Sequence, residues 1–158
     1  MSIYEEAKKF KKKYPMTIAW RLKKNSKIIE KYINPDEKIK YVFVGQKNDR
    51  SYDIFSTAVV VLTDKRILVG RKRVVFGFFL NSVAPDMYND LSVMANLIWG
   101  KVHIDTVKEL ITISNLDKSA LDEIETAITT AMMKLKKGYN PRPKQNSNNW
   151  KRLYKSFF

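Results

Sequence analysis

Cysteine is absent from this 158-residue chain, and histidine occurs once. No disulfide, thiolate nucleophile or thiolate-held metal can therefore form. One histidine without a cysteine leaves a hydrolytic triad short of parts. His103 falls between Lys101 and Asp105 in an alternating stretch, where a surface or structural role is expected. The five glycines stand at 45, 70, 77, 100 and 138, never in a phosphate-loop or dinucleotide spacing. The acid pairs Asp49/Asp53 and Asp86/Asp90 fall in or beside loops, and no HExxH spacing exists. No catalytic residue, cofactor or metal is expected, and no small-molecule substrate. Long apolar runs are missing too. The most apolar windows, 58–62 and 74–80, fall far short of the roughly 20 residues of a spanning helix. The N-terminal stretch does not read as a signal peptide, because residues 3–13 carry five lysines and two glutamates. A cytoplasmic protein is the expectation, with peripheral attachment at the inner membrane face as the alternative.

Acidic residues are missing from one region in particular. Residues 134–158 hold eight basic side chains and no acidic one. Residues 1–31 hold ten basic against three acidic, while residues 32–133 hold twelve against thirteen. The net charge of +14 is thus carried by the two ends. Segregated positive charge attracts acidic or phosphate-rich surfaces.

The spacing predicts a first helix over 2–13, capped by Ser2 with Glu5 three residues on. Ile3, Ala7 and Phe10 or Tyr14 form its apolar stripe. Pro15 interrupts it, and a second helix is predicted over 16–32. The period then changes to two. Strands are predicted at 38–45, 54–62, 67–71, 74–80, 88–93, 101–105 and 110–114. A last helix follows capping oxygens at Asn115, Asp117 and Ser119. Leu121, Ile124, Ile128, Ala131 and Leu135 make its broad stripe, and Gly138 ends it. The short strand spacing leaves no room for βαβ crossovers. An α+β fold is expected: a bent antiparallel sheet or partial barrel of about seven strands, closed by the C-terminal helix and preceded by two N-terminal helices.

Four motifs carry a family resemblance. Asn34-Pro35-Asp36-Glu37-Lys38-Ile39 leads into the first strand as a "Leu-x-Pro-x-Glu" motif does. Val59-Val60-Val61-Leu62-Thr63-Asp64-Lys65-Arg66-Ile67-Leu68 is an apolar run ending in Leu-Thr-Asp-x-Arg before a second apolar strand. Tyr88-Asn89-Asp90-Leu91-Ser92-Val93 is similar to "Tyr-x-x-Ile-x-x-Val", and Trp99-Gly100-Lys101-Val102-His103-Ile104 to its "Gly-x-Ile-x-Ile" successor. In order and spacing these resemble the bacterial pleckstrin-homology (PH-like) domain proteins. The resemblance implies a seven-stranded bent barrel with a C-terminal helix and supplies no catalytic residue. Some PH domains bind phosphoinositides or anionic lipids, others proteins. The eukaryotic inositol-phosphate site uses basic residues in the first hairpin; here it holds Lys47 and Arg50 beside Asp49 and Asp53.

The expected organisation is a basic helical segment at 1–33, a PH-like domain at 34–137 and a flexible basic-aromatic tail at 138–158. Three groups are candidates for contact with an anionic surface or partner. They are Lys8, Lys9, Lys12, Arg21 and Lys24 of the N-terminal helices; Arg71, Lys72 and Arg73 at a hairpin corner; and Trp150, Lys151, Arg152, Tyr154 and Phe157 in the tail. A non-catalytic binding or scaffold module gripping a protein partner is the first reading. Peripheral binding to anionic lipid is the second, and non-specific nucleic-acid binding the third.

Overall fold

The computed structural model describes residues 2–49 and 52–138. Helix α1 (Ile3–Lys13) and helix α2 (Leu22–Tyr32) come first. Seven strands follow: β1 (Ile39–Gln46), β2 (Thr57–Thr63), β3 (Ile67–Lys72), β4 (Phe78–Val83), β5 (Tyr88–Ala95), β6 (Trp99–Thr106) and β7 (Leu110–Asp117). A 3-10 turn at Lys118–Ala120 leads into α3 (Leu121–Gly138). The antiparallel sheet runs β4-β3-β2-β1-β7-β6-β5. It curls into a half-barrel, and α3 lies over β5 and β6. The expected α+β architecture, with its capping helix and two leading helices, is the one observed.

Alternation along the strands assigns the two faces of the β1–β4 half. Gly45 backs onto Ile113 and Leu116 of β7, so its face, with Phe43, Val60 and Val69, looks into the barrel. Gly70 backs onto Ile29 of α2, so Val44, Val59 and Gly70 look outward beneath the N-terminal helices. Ile29, Phe43, Val60, Ile113, Ile124 and Ile128 are all buried in one apolar cluster.

β1 and β7 pair only at Gln46 and Ser114. Beyond that point they diverge, and the N-terminal segment fills the split. Ile18 N–H donates to the Asn115 carbonyl (2.9 Å), and Asp117 N–H to the Thr17 hydroxyl (3.0 Å). α1 packs against the split. Phe10 meets Phe43 (6.2 Å between centroids), the Tyr14 hydroxyl donates to Glu123 of α3, and Lys13 reaches the same carboxylate at 3.2 Å.

Three sequence expectations shift. Residues 16–21, expected as helix, are not helical: Thr17 N–H closes a turn on the Tyr14 carbonyl (3.1 Å), and residues 18–20 carry no regular structure. Their backbone groups are satisfied by β7 and by Thr57 rather than by a helical ladder, and α2 starts only after Arg21, at φ 51°. Ile54 and Phe55, expected in β2, lie in the loop: Asp53 accepts from Phe55 N–H (3.1 Å) and from the Ser56 hydroxyl (3.0 Å). The apolar run 74–77, expected as strand, is a hairpin tip. Gly77, at φ 75°, lets the turn close with Arg73 N–H on the Gly77 carbonyl (3.1 Å). The corner therefore sits beyond Lys72-Arg73, and β4 is Phe78–Val83 rather than 74–80.

Candidate functional site

Because β1 to β4 are consecutive antiparallel strands, the β1–β2 loop and the β3–β4 hairpin leave the sheet at the same end. The non-helical linker between α1 and α2 joins them there. Gln46, fully buried at the top of β1, ties the linker to the β1–β2 loop. Its amide donates to the Ile18 carbonyl (2.9 Å) and to the Thr57 hydroxyl (2.7 Å), and its carbonyl oxygen accepts from Ser56 N–H (2.7 Å). Trp20 N–H donates to the same Thr57 hydroxyl at 3.0 Å. Lys101 of β6 holds the far side of the loop by an ion pair to Asp49 at 2.7 Å.

The end so built is apolar at its tips. Phe76 is 82% exposed, Val75 76%, Phe55 72% and Trp20 51%. None of these exposures is needed to close the fold. Contiguous exposed apolar surface of this kind marks an interaction site.

Cations flank the tips on both faces. On the barrel-interior side, Lys47, Arg71 and Arg73 gather around the Phe79 ring, 5.4, 5.6 and 4.9 Å from its centroid. Burial pushes the Lys47 ammonium down, Glu109 opposes this, and Arg71 adds to it. Burial also lowers Arg71, against the pull of the Asp53 carboxylate. The buried Arg71 Nε has no hydrogen-bond partner among the described residues. Lys47 Nζ donates to Asn81 (2.8 Å), and Asn81 donates to Glu109 on the β6–β7 turn.

On the helix side the three segments enclose a cleft of about 290 Å³. It is lined by Trp20, Arg21, Asn25, Ile54, Phe55, Thr57, Lys72 and Val74. Asn25 fixes its inner wall, accepting from Lys72 N–H (2.7 Å) and donating to the Trp20 carbonyl (3.2 Å). α2 begins here without a side-chain cap and without an acid in its first turn. By contrast Ser2 caps α1, which carries Glu5 and Glu6 in its first turn. A helix start favours negative charge, and α2 meets Arg21 and Lys24 instead.

The predicted contact residues thus separate. Arg21, Arg71, Lys72 and Arg73 come together at the loop end, with Lys24 beside them in the first turn of α2. Lys8 and Lys9 pair with Glu5 (2.9 Å) and Glu6 (3.1 Å) of their own helix. Lys12 is exposed on α1, and no α1 lysine lines the cleft. Trp150, Lys151, Arg152, Tyr154 and Phe157 lie outside the described residues. Sequence reasoning missed Trp20, Phe55 and Val74–Phe76 as surface groups, because each was assigned to a regular element. His103 faces outward as expected, its Nδ1 3.0 Å from the Thr112 hydroxyl. Among the described residues no group of acids and histidine is placed to hold a metal ion. No described helix is long and apolar enough to cross a membrane.

Comparison with known proteins bears on the β-rich part. A family model described as Bacterial PH domain matches residues 33–130. Among solved structures, the crystal structure of a pleckstrin homology domain from Shewanella amazonensis SB2B is similar at 11% identity. It covers 74% of this chain and 89% of that chain, with a TM-score of 0.42. No curated protein matches the chain. The matched span begins after α2, so Trp20, Arg21 and Asn25 lie outside it.

Proposed function

The chain belongs to the bacterial PH domain family, and from that premise we propose that it docks peripherally on anionic membrane. PH domains as a class are non-catalytic binding and scaffold modules. The choice of membrane over a protein partner rests on the loop end. Phe55, Val74, Val75 and Phe76 project from two neighbouring loops, and Trp20 stands beside them. Arg21, Lys72 and Arg73 surround these side chains, and none has an ion-pair partner among the described residues. Aromatic and aliphatic tips enter the headgroup boundary while flanking cations meet lipid phosphates. Each cation near an anionic bilayer contributes about 1 kcal/mol. The inner membrane face, which carries anionic lipid, is the corresponding location.

Vesicle flotation of the full chain tests this. Binding is expected to phosphatidylglycerol-containing vesicles and to fall between about 50 and 200 mM salt as screening shortens the reach of the cations. Neutral phosphatidylcholine vesicles should retain far less protein. Equal recovery with both vesicle types, or with neither, would remove membrane docking and return a protein partner to first place.

A further inference from the structure

The cleft between α2 and the two loops is graded from polar to apolar. Asn25 and Thr57 form its inner part, Arg21 and Lys72 its walls, and Trp20, Ile54, Phe55 and Val74 its mouth. The Arg21 and Lys72 side chains face this one space without an acidic partner among the described residues. Two like charges around a small volume repel unless an anion lies between them. Thr57 is buried, and its oxygen accepts from Trp20 N–H and from the Gln46 amide. Its own proton remains as a donor at the inner end.

We propose that this cleft seats the phosphate of a single anionic phospholipid, drawn partly out of the bilayer. Arg21 and Lys72 bind the phosphate oxygens, Thr57 donates to one of them, and the acyl chains leave over Phe55 and Val74. The proposal rests on the membrane-docking reading and specifies what that surface recognises. A free phosphate would leave the apolar mouth in water, whereas a lipid covers it. The volume of about 290 Å³ holds a phosphate with its glycerol but not a folded peptide. The site is separate from Lys47, Arg71 and Arg73, which lie on the opposite face of the sheet: Lys72 shares the outward face of Gly70, and Arg71 pairs beside Phe79 on the inner one. Three of the eight lining residues, Trp20, Arg21 and Asn25, lie outside the family span.

The probe is dihexanoyl phosphatidic acid, titrated below its micelle concentration into the full chain and followed by amide chemical shifts. Saturable one-to-one binding is expected. The double variant Arg21→Asn/Lys72→Gln should weaken it at least about tenfold, the loss of charge-assisted hydrogen bonds. Asparagine tolerates the left-handed backbone at position 21, so this variant tests charge rather than strain. Lys27→Gln/Lys31→Gln removes two exposed α2 charges away from the cleft and should change affinity less than about twofold. Inorganic phosphate should bind at least about tenfold more weakly than the lipid, for want of the apolar contacts. Vesicle binding without saturable binding of the soluble lipid would overturn the cleft proposal and leave membrane docking intact. So would equal affinity for inorganic phosphate, or equal losses in the two double variants. Binding of neither vesicles nor soluble lipid would overturn both.

Discussion

Gly70 couples the N-terminal helices to the sheet, and adding one methyl group there measures the coupling. A Cβ at position 70 would lie 2.5 Å from Ile29 Cγ1 and 3.1 Å from Ile29 Cδ1. Contacts that short force a shift, and Cγ1 is not the free end of the side chain. Either Ile29, fully buried, leaves its rotamer, or α2 lifts from β3. Overpacking of this kind costs about 1–3 kcal/mol. In a chain of this size each kcal/mol lowers the melting midpoint by about 2–4 °C. Ile29→Ala alone removes the obstacle and leaves a cavity, costing about 2–5 kcal/mol. The pair should be less destabilised than the two losses added together, by about 0.5–3 kcal/mol, because the new methyl enters the vacated space. Urea unfolding of the four proteins in this cycle gives each term, provided the m-values agree. The functional readout follows from Asn25 and Arg21, on the same helix: Gly70→Ala should also weaken binding of dihexanoyl phosphatidic acid. Strict additivity in the cycle would refute the close approach of α2 to β3, and the placement of the cleft with it.

Phe55→Ser/Phe76→Ser should leave the melting midpoint nearly unchanged and reduce vesicle partitioning by about 30-fold or more. Two largely exposed rings each carry about 1–2 kcal/mol into the headgroup boundary; flotation and thermal melts measure the two effects. Glu37 is buried beneath Arg66, with Nη2 to Oε1 at 2.6 Å and the Thr63 hydroxyl on Oε2 at 2.8 Å. Burial would raise its carboxyl, but Arg66, Thr63 and Asn34 outweigh that and hold it below the ordinary glutamate range. A carboxyl depressed on folding contributes stability that is complete above its unfolded value, about 4.3, and is lost as pH falls through the lower folded value. Urea midpoints measured from pH 7 to pH 2.5 should therefore drop in acid, and Glu37→Gln should cost about 3 kcal/mol at pH 7 while flattening that drop. Lys101→Met frees Asp49 from β6. It should speed hydrogen exchange of the β1–β2 loop amides and leave those of β2 unchanged.

The elements legible in the sequence are those whose signal is local. Ser2 accepts from Glu5 N–H at 3.1 Å as the capping spacing predicts. Ile3, Ala7 and Phe10 are the buried stripe of α1, with buried Tyr14 just past its end, and Val59–Leu62 lie fully inside β2. Ile124 and Ile128 face the core at the helical step. What stayed hidden depends on partners far along the chain. Residues 16–21 have unremarkable helix propensity, yet Thr17 answers Asp117, 100 positions away. Such bonds outweigh a propensity of a few tenths of a kcal/mol per residue. Gln46 reads as the first polar residue of a loop, and only the closed sheet shows it as the buried junction of the linker and the β1–β2 loop. The candidate site was half legible. Arg71, Lys72 and Arg73 stood out as adjacent cations, but β alternation sends Arg71 and Lys72 to opposite faces. Arg21 joins Lys72 only because the linker is not helical.

The hairpin tip carries the final step. Val74-Val75-Phe76 has the composition of a buried strand, and a buried strand is the state such a run favours when the fold offers one. Here the pairing of Arg71 with Phe79 and of Lys72 with Phe78 closes the ladder, and the three apolar residues stand outside it. Polar residues at these positions would close the same turn, since Gly77 supplies the positive φ. The apolar tip therefore gains the fold nothing and adds an aggregation hazard. Arg73 on one side and Lys72 on the other confine that hazard by placing charge at the base of the tip. A surface that is greasy at its point and cationic at its base matches the lipid interface in depth order: hydrocarbon outermost from the protein, phosphate nearest to it. Salt weakens the cationic part and leaves the apolar part. At high salt the binding that survives should therefore be the part that Phe55→Ser/Phe76→Ser removes, and the salt-sensitive part should be the one lost with Arg21 and Lys72.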